Sequence, residues 1–259
     1  MNIKTISTNK TTEKVTLHIK GINEALANAL RRLMIDSVPT MAIEDVEIVQ
    51  NSSALYDEML SLRLGLIPLT TDLKYYELPS PEEKESFGAE RSAKTSVHLT
   101  LNVKGPCNVY AKDLKSKDPK IKPAQPNTLI VKLLKGQELD VNATAVLGRG
   151  TEHVKWSAGL CWYTHYPKIT INNNKVEDVK NKYPPQIFKN GKVDKDLIIE
   201  NNLMDAVEGI SNDAIKIEYE PDQFLFFIEP WGQLTPKEMF TTALKLFKNQ
   251  LEELDEKLK

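Results

Sequence analysis

The sequence predicts an α+β protein, in which helices near both termini flank a β-rich middle region. Val15, Leu17 and Ile19 alternate with polar residues, which is the period of a half-buried strand. The middle segments SVHLTLNV, TLIVKLL and ELDVNATAVLG are rich in β-branched residues and also favour strands. Apolar residues at helical spacing over about 24–36, and again after Thr235, predict the two helices.

Composition places the chain among ordinary globular proteins. Of its 259 residues, 41% are apolar and 27% are charged, so an intrinsically disordered chain is excluded. The formal net charge of −2 gives no sign of a nucleic-acid or membrane-surface protein. No apolar run reaches the roughly 18 residues that span a bilayer. With only two cysteines, Cys107 and Cys161, we expect a soluble protein of the reducing cytoplasm, although the two could pair.

The N-terminal helix carries a narrow apolar stripe. Leu26, Leu30 and Leu33 are spaced four and three residues apart, and the helical region ends before the proline of DSVPT. The segment AIEDVEIVQ then predicts a strand, and ALYDEMLSLRLGLIPL predicts a second helix that ends near Gly65. The polar and charged stretch 77–95 is predicted to be a loop.

The C-terminal region has the clearest local signals. Two strands in AIKIEYEPDQFLFFIEPWG are predicted to join as a hairpin at Pro221 and Asp222. Thr235 is a favourable N-cap, Pro236 suits the first helical position, and Glu238 completes a capping box. The helix then places apolar residues at alternating spacings of four and three, namely Phe240, Leu244, Phe247, Leu251, Leu254 and Leu258. That heptad spacing predicts a seam by which one helix packs on another.

The residues alone leave two uses open for these stripes. The two helices could pack on each other within one domain, or part of the apolar surface could bind a partner chain. At 1.5 Å per residue the C-terminal seam extends over roughly 27 Å, which is longer than the N-terminal helix can cover. Some of the seam is therefore expected to remain for a partner.

The sequence contains only weak matches to the motifs that bind zinc or phosphate. His153, Cys161 and His165 form an H-x7-C-x3-H series, but structural zinc usually takes four closely spaced ligands and the chain has no CxxC pair. The segment GRGTEH lacks the GK[ST] ending of a phosphate-binding loop, so it is interpreted as a turn between strands.

The acidic residues Glu44, Asp45 and Glu47 raise the alternative of a magnesium site. On a strand, however, Asp45 and Glu47 share the face opposite Val46 and Ile48, which is the usual solvent face of a half-buried strand. Metal-dependent hydrolysis by this cluster together with the two histidines is therefore the least favoured function. No catalytic residue is assigned.

Four longer segments carry a resemblance to a known family. They are NALRRLMIDSVPTMAIEDVEI, LYDEMLSLRLGLIPL, GQELDVNATAVLGRGTEHVKWSAGL and FIEPWGQLTPKEM. Together they resemble the alpha-like subunits of DNA-directed RNA polymerase, in the archaeal form designated D. That form is related to bacterial alpha and to the third-largest subunit of eukaryotic RNA polymerase II. The resemblance extends in order through nearly all 259 residues.

The resemblance implies a discontinuous domain organisation. A dimerisation domain of the alpha-subunit type would take residues 1–50 and 213–259. A β-rich insert domain would take residues 51–171. A degenerate ferredoxin-like subdomain would take residues 172–212.

The resemblance also implies a role in assembly rather than in catalysis. Such a chain forms a heterodimer with a smaller, L-type alpha-like subunit through the two apolar stripes. The heterodimer anchors the large catalytic subunits and adjoins small zinc-containing subunits, with no sequence-specific nucleic-acid contact and no membrane. Arg31 and Arg32 match the arginine pair that faces the large subunits, where a planar guanidinium can bind carboxylates. The alternative is a free-standing homodimeric interaction protein that reuses the fold.

One departure from the family pattern concerns cofactors. Many archaeal relatives carry iron–sulfur cysteines between the β-rich domain and the last strands, whereas residues 172–212 contain no cysteine. Cluster irons need thiolate ligands, so no cluster is expected, and the zinc-binding cysteines of eukaryotic relatives are missing as well. Leu203, Ala206 and Ile210 are expected to occupy the cysteine positions and to replace the cluster by apolar packing.

Overall fold

Strands and helices both occur along the whole chain, which confirms the predicted α+β class. The computed structural model describes residues 1–9, 11–85 and 91–259. The strands are β1 (Asn2–Thr8), β2 (Val15–Lys20), β3 (Thr40–Asn51), β4 (Ser96–Lys104), β5 (Cys107–Tyr110), β6 (Lys115–Ser116), β7 (Leu129–Leu133), β8 (Glu138–Gly148), β9 (Gly159–Ile171), β10 (Phe188–Lys189), β11 (Lys192–Val193) and β12 (Ile215–Pro230). The α-helices are α1 (Glu24–Arg32), α2 (Asp57–Gly65), α3 (Pro81–Glu85), α4 (Asn173–Val176), α5 (Lys195–Glu200), α6 (Met204–Val207) and α7 (Pro236–Leu258).

The chain divides into two compact units, each built from two separate stretches of sequence. The first unit comprises Met1–Arg31 and Cys161–Glu229, and the second comprises Arg32–Leu160 and Pro230–Lys259. Each unit contains a four-stranded sheet, in the order β1-β2-β12-β9 in the first and β3-β8-β4-β6 in the second. The domain boundaries implied by the family resemblance remain predictions.

Strand β2 lies inside the sheet of the first unit, between β1 and β12. It pairs antiparallel with β12, so that Leu17 lies opposite Phe226. The strand predicted from the alternation is confirmed, but the expectation that it is half-buried is wrong. Thr16 and His18 are buried, and so are Leu17 and Ile19. Both faces of this interior strand are therefore covered.

Strand β12 runs without interruption from Ile215 to Pro230, so the hairpin predicted at Pro221 and Asp222 is wrong. Its register with β2 starts at Gln223, which lies opposite Lys20, and the carbonyl oxygen of Asp222 accepts from the N–H of Gly21 at 2.9 Å. Pro221 has no amide N–H to donate to a neighbouring strand. Because it precedes Gln223, it removes no hydrogen bond from the ladder between β12 and β2. Pro221 and Asp222 therefore do not interrupt β12.

The segment 172–212 packs on the sheet of the first unit. It contains two short helices near its end, α5 (Lys195–Glu200) and α6 (Met204–Val207). Buried residues of the segment and of the sheet share one apolar core, formed by Val176, Tyr183, Ile187, Val193, Ile198, Ile199, Met204, Val207, Ala214, Ile215, Leu225 and Phe227. Leu203 and Ile210 pack against this core as expected. Ala206 is exposed, so the expectation that it contributes to this packing is wrong, and Met204 is buried instead. The register of the replaced cysteines remains a prediction.

A buried histidine lies at the centre of this sheet. The ring of His18 is stacked on Tyr166 with centroids 3.9 Å apart, and its Nε2 is 3.0 Å from Oε1 of Gln223. Burial lowers the pKa of His18 below its usual 6.5, the hydrogen bond to Gln223 partly opposes this, and the positive charges of Lys20 and Lys4 lower it further. The folded state therefore favours the neutral ring.

The free energy of unfolding is expected to decrease as the pH falls below about 6.5, since the unfolded chain then binds protons that the folded chain resists. Urea unfolding measured on both sides of that pH tests this dependence. His18→Phe, which keeps a ring against Tyr166, should flatten part of the slope. His98, whose pKa is lowered by burial and by Lys117, should maintain the remainder. An unchanged slope in the variant would contradict the role of His18.

The second unit has its core beneath the sheet that contains β3 and β8. Met41 and Ile43 of β3 are fully buried there, together with Leu60 and Leu64 of α2. Helix α2 ends at Gly65, which confirms the second predicted helix. The core positions of α2 are four residues apart, as expected for one helix face on a sheet.

The charged stretch 77–95 is only partly a loop, because α3 forms within it at Pro81–Glu85. The part of the prediction that concerns 86–90 lies outside the described residues. Arg91 reaches back to β3, where its Nη1 is 2.8 Å from Oδ2 of Asp45, and its side chain is only 3% exposed. The interpretation of Asp45 as an ordinary solvent-face carboxylate is therefore wrong, since a buried guanidinium neutralises it.

Candidate assembly interface

Helix α7 begins where its local sequence predicts. The N–H of Glu238 donates to Oγ1 of Thr235 at 3.3 Å, and the N–H of Thr235 donates to Oε2 of Glu238 at 3.0 Å. Pro236 occupies the first helical position, where its missing N–H would be unpaired anyway. The predicted N-cap and capping box are confirmed.

The predicted seam becomes steadily more exposed along α7. Phe240 is buried in the second unit, and Leu244 and Phe247 are half-buried. The last three seam residues are exposed, with fractional exposures of 51% for Leu251, 53% for Leu254 and 78% for Leu258. Fully burying a leucine side chain contributes roughly 1.5–3 kcal/mol relative to full exposure, so covering the exposed part of these three leucines would be favourable.

The N-terminal helix is longer than α1 alone, because α1 continues directly into a π-helical turn at Leu33–Ser37. The N–H of Val38 donates to the carbonyl oxygen of Leu33 at 3.1 Å, which is the wider spacing of a π-helix. The predicted helix is confirmed, whereas its π-helical end was missed. Leu30 and Leu33 are buried and Leu26 is half-buried.

Within the second unit, α7 packs against this π-helical turn. The intramolecular contact therefore involves the N-terminal turns of α7, where Met239, Phe240 and Ala243 are buried. The exposed leucines lie further along the helix. The assignment of both stripes to a dimer seam remains a prediction.

The two arginines differ in their local contacts. Arg31 is half-buried, and its Nε and Nη2 donate to Oδ1 of Asn28 at 3.1 and 2.9 Å. The side chain of Arg32 is 68% exposed, and its Nε is 3.9 Å from Oδ2 of Asp36. Both guanidinium groups keep donors that a partner's carboxylates could use.

The segment GRGTEH is a turn after β8, as predicted, and it also contacts the end of the N-terminal helix. The N–H of Thr151 donates to the carbonyl oxygen of Asp36 at 3.0 Å. A Cβ at Gly150 would clash with the carbonyl oxygen of Ile35, and one at Gly148 would clash with the ring of Trp156. Sequence reasoning missed this contact, for which the two glycines were the available signal.

The residues considered for zinc are engaged elsewhere or protonated. Burial raises the pKa of the Cys161 thiol to about 12, whereas a metal needs the thiolate. Nε2 of His165 is 3.0 Å from Oε1 of Glu24, and Nδ1 of His153 accepts from the N–H of Lys155 at 3.1 Å. Among the described residues, no three His, Cys, Asp or Glu side chains are grouped as metal ligands. Cys107 and Cys161 are both free thiols.

Purified protein is expected to be colourless and to contain no iron, because residues 172–212 offer no thiolate. Its melting temperature should be the same with and without a chelator, since an apolar core holds this segment on the sheet. Metal analysis and thermal unfolding measure the two quantities. Brown colour with stoichiometric iron, or a lower melting temperature in chelator, would contradict the prediction.

Within the parts of the chain that the structure describes, no helix has both the length and the hydropathy needed to span a bilayer. Helix α7 spans 23 residues, but charged side chains occupy the faces beside its seam.

Comparison with known proteins identifies one family to which the chain is similar. Residues 46–159 match the family model of the RNA polymerase Rpb3/RpoA insert domain. The chain is 41% identical over 243 residues to DNA-directed RNA polymerase subunit Rpo3 of Methanosarcina mazei, with 91% of each chain covered. It is 36% identical over 243 residues to subunit Rpo3 of Thermococcus kodakarensis, covering 92% of this chain and 90% of the relative. For subunit Rpo3 of Pyrobaculum calidifontis the identity is 35%, with 91% and 88% covered.

These relatives match both units of the chain and not the insert domain alone. The match extends over about nine-tenths of each sequence, as the coverage of 91% in the Methanosarcina mazei comparison illustrates. The relatives carry the name Rpo3, whereas the motifs indicated the archaeal alpha-like form designated D. On this evidence the chain belongs to the Rpo3 family of archaeal DNA-directed RNA polymerase subunits.

Proposed function

We propose that this chain is an assembly platform that pairs with a smaller, L-type alpha-like subunit and anchors the large catalytic subunits of an RNA polymerase. As a member of the Rpo3 family it is a non-catalytic subunit of a nucleotidyltransferase complex. The observation that carries the pairing proposal is the exposed apolar end of α7, formed by Leu251, Leu254 and Leu258.

The chemistry of α7 supports a helical partner. Its seam is narrow, and the neighbouring faces carry ion pairs between Lys248 and Glu252 at 3.5 Å and between Asp255 and Lys259 at 2.7 Å. A narrow apolar stripe with charged flanks is the surface that one helix presents to another. An L-type subunit with a matching helix would remove the exposed leucines from water.

The free donors of Arg31 and Arg32 support the contact with the large subunits. The Nε of Arg32 is 3.9 Å from Oδ2 of Asp36 in a loose ion pair and its side chain is 68% exposed, so its guanidinium is available. Arg31 is already oriented by Asn28, which reduces the entropy lost on binding. From the family resemblance, we also propose that small zinc-containing subunits belong to the same assembly. We propose that this assembly is located in the cytoplasm.

Co-expression with an L-type subunit tests the first half of this proposal. A tag on the present chain should recover the L-type subunit in equal amounts, and this heterodimer should then bind the large catalytic subunits. A chain that forms only homodimers and leaves the L-type subunit unbound would support the alternative of a free-standing interaction protein. Multi-angle light scattering of the chain alone distinguishes these states.

A further inference from the structure

An exposed arginine, Arg149, lies beside the end of the N-terminal helix. Arg149 belongs to the segment 148–153, which we call the glycine loop, and its side chain is exposed. The backbone hydrogen bond from Thr151 to Asp36 joins this loop to the helix that carries Arg32. Arg149 is two residues before Thr151 in the sequence, and Arg32 is four residues, about one helical turn, before Asp36. The two arginines therefore flank one junction within the second unit.

The glycine loop is held in place from both sides. Gly148 lies against the ring of Trp156, whose Nε1 donates to the carbonyl oxygen of Val146 at 3.2 Å. Gly150 approaches the carbonyl oxygen of Ile35 more closely than any other residue type would permit. A loop fixed in this way presents its side chains with little loss of backbone entropy on binding.

Neighbouring acidic groups are neutralised by partners other than Arg149. Oε1 of Glu152 is 2.7 Å from Nζ of Lys84, and Glu44 forms an ion pair with Lys155. Within residues 1–9, 11–85 and 91–259, Arg149 has no carboxylate within ion-pair distance. Its charge is therefore uncompensated on a surface where the nearby glutamates are paired.

We propose that Arg149 and Arg32 together form one anion-recognising surface, which binds a carboxylate-bearing segment of a large polymerase subunit. This inference rests on the proposed function, and it adds the glycine loop to the surface that the helix provides. Guanidinium groups bind carboxylates through two parallel hydrogen bonds, so two of them on a fixed backbone select an acidic segment of matching spacing. The GRGTEH motif thus contributes directly to assembly.

Charge reversal of Arg149 tests this surface in the heterodimer with the L-type subunit. Arg149→Glu should weaken binding of the large catalytic subunits about tenfold or more, because a partner carboxylate would then meet a like charge. Lys132→Glu makes the same change in charge at another exposed position of the second unit and should have no effect. Arg149→Gln removes the charge and keeps much of the side chain, so it should give a smaller loss in the same direction.

Two further measurements separate this inference from the proposed function. Melting temperature and pairing with the L-type subunit should stay unchanged in the Arg149 variants, and combining Arg149→Gln with Arg32→Ala should be non-additive because both contact one segment. Normal binding by both Arg149 variants, with binding lost in an Arg31 and Arg32 double variant, would overturn the inference and leave the proposed function standing. A wild-type heterodimer that recruits no large subunit would overturn the proposed function itself.

Discussion

Leu251→Asp is expected to abolish pairing with an L-type subunit while leaving the fold of the chain intact. Leu251 is 51% exposed, so an aspartate is tolerated while the chain is alone. In the heterodimer the same carboxylate would be buried against apolar side chains without a partner, which costs several kcal/mol. Size-exclusion chromatography of the co-expressed pair should show two separate subunits in place of one heterodimer.

A matched substitution on the opposite face of α7 serves as the control. Asn249→Asp introduces the same charge at an exposed position away from the seam, and the heterodimer should survive it. Phe247→Asp should also prevent pairing, although Phe247 is half-buried and its loss will lower the stability of the chain as well. An unchanged heterodimer peak with Leu251→Asp would mean that the seam serves only the interior of the chain.

Replacing Arg31 and Arg32 together by alanine is expected to leave the heterodimer intact and to weaken binding of the large subunits strongly. Truncation of an interface arginine at a hot spot costs about 2 kcal/mol or more. Each loss would then weaken binding roughly 30-fold. Titration of the heterodimer with reconstituted large subunits measures the change.

The control for this experiment removes two positive charges elsewhere. Lys115→Ala combined with Lys132→Ala changes exposed residues of β6 and β7 and should leave recruitment of the large subunits unchanged. Single variants of each arginine divide the effect between the oriented Arg31 and the freer Arg32. A double variant that unfolds, seen by circular dichroism, would show that the arginines are structural and that the assignment is wrong.

Local sequence was enough to predict the elements that depend on neighbouring residues. The start of α7 follows from Thr235, Pro236 and Glu238, whose interactions all close within one turn. The end of α2 at Gly65 and the helix that begins at Glu24 were predictable for the same reason. Capping and helical periodicity act over three or four residues, which a sequence displays directly.

Elements that depend on distant residues could not be predicted in this way. Whether Pro221 ends a strand depends on where pairing with β2 begins, and the environment of Asp45 depends on Arg91, which lies far along the chain. The π-helical end of the first helix and its contact with the glycine loop belong to the same class. Pairing register and ion pairs between distant residues are set by the packed fold, so no window of sequence contains them.

The spacing of apolar residues is enough to identify the apolar face of α7, whereas the part of that face that the chain covers follows from its packing. The spacing from Phe240 to Leu258 fixes one stripe, because side chains three and four residues apart share a helix face. The structure buries Phe240 and leaves Leu251, Leu254 and Leu258 exposed. Periodicity reports the direction of side chains around a helix axis, whereas burial depends on which other elements reach that part of the helix.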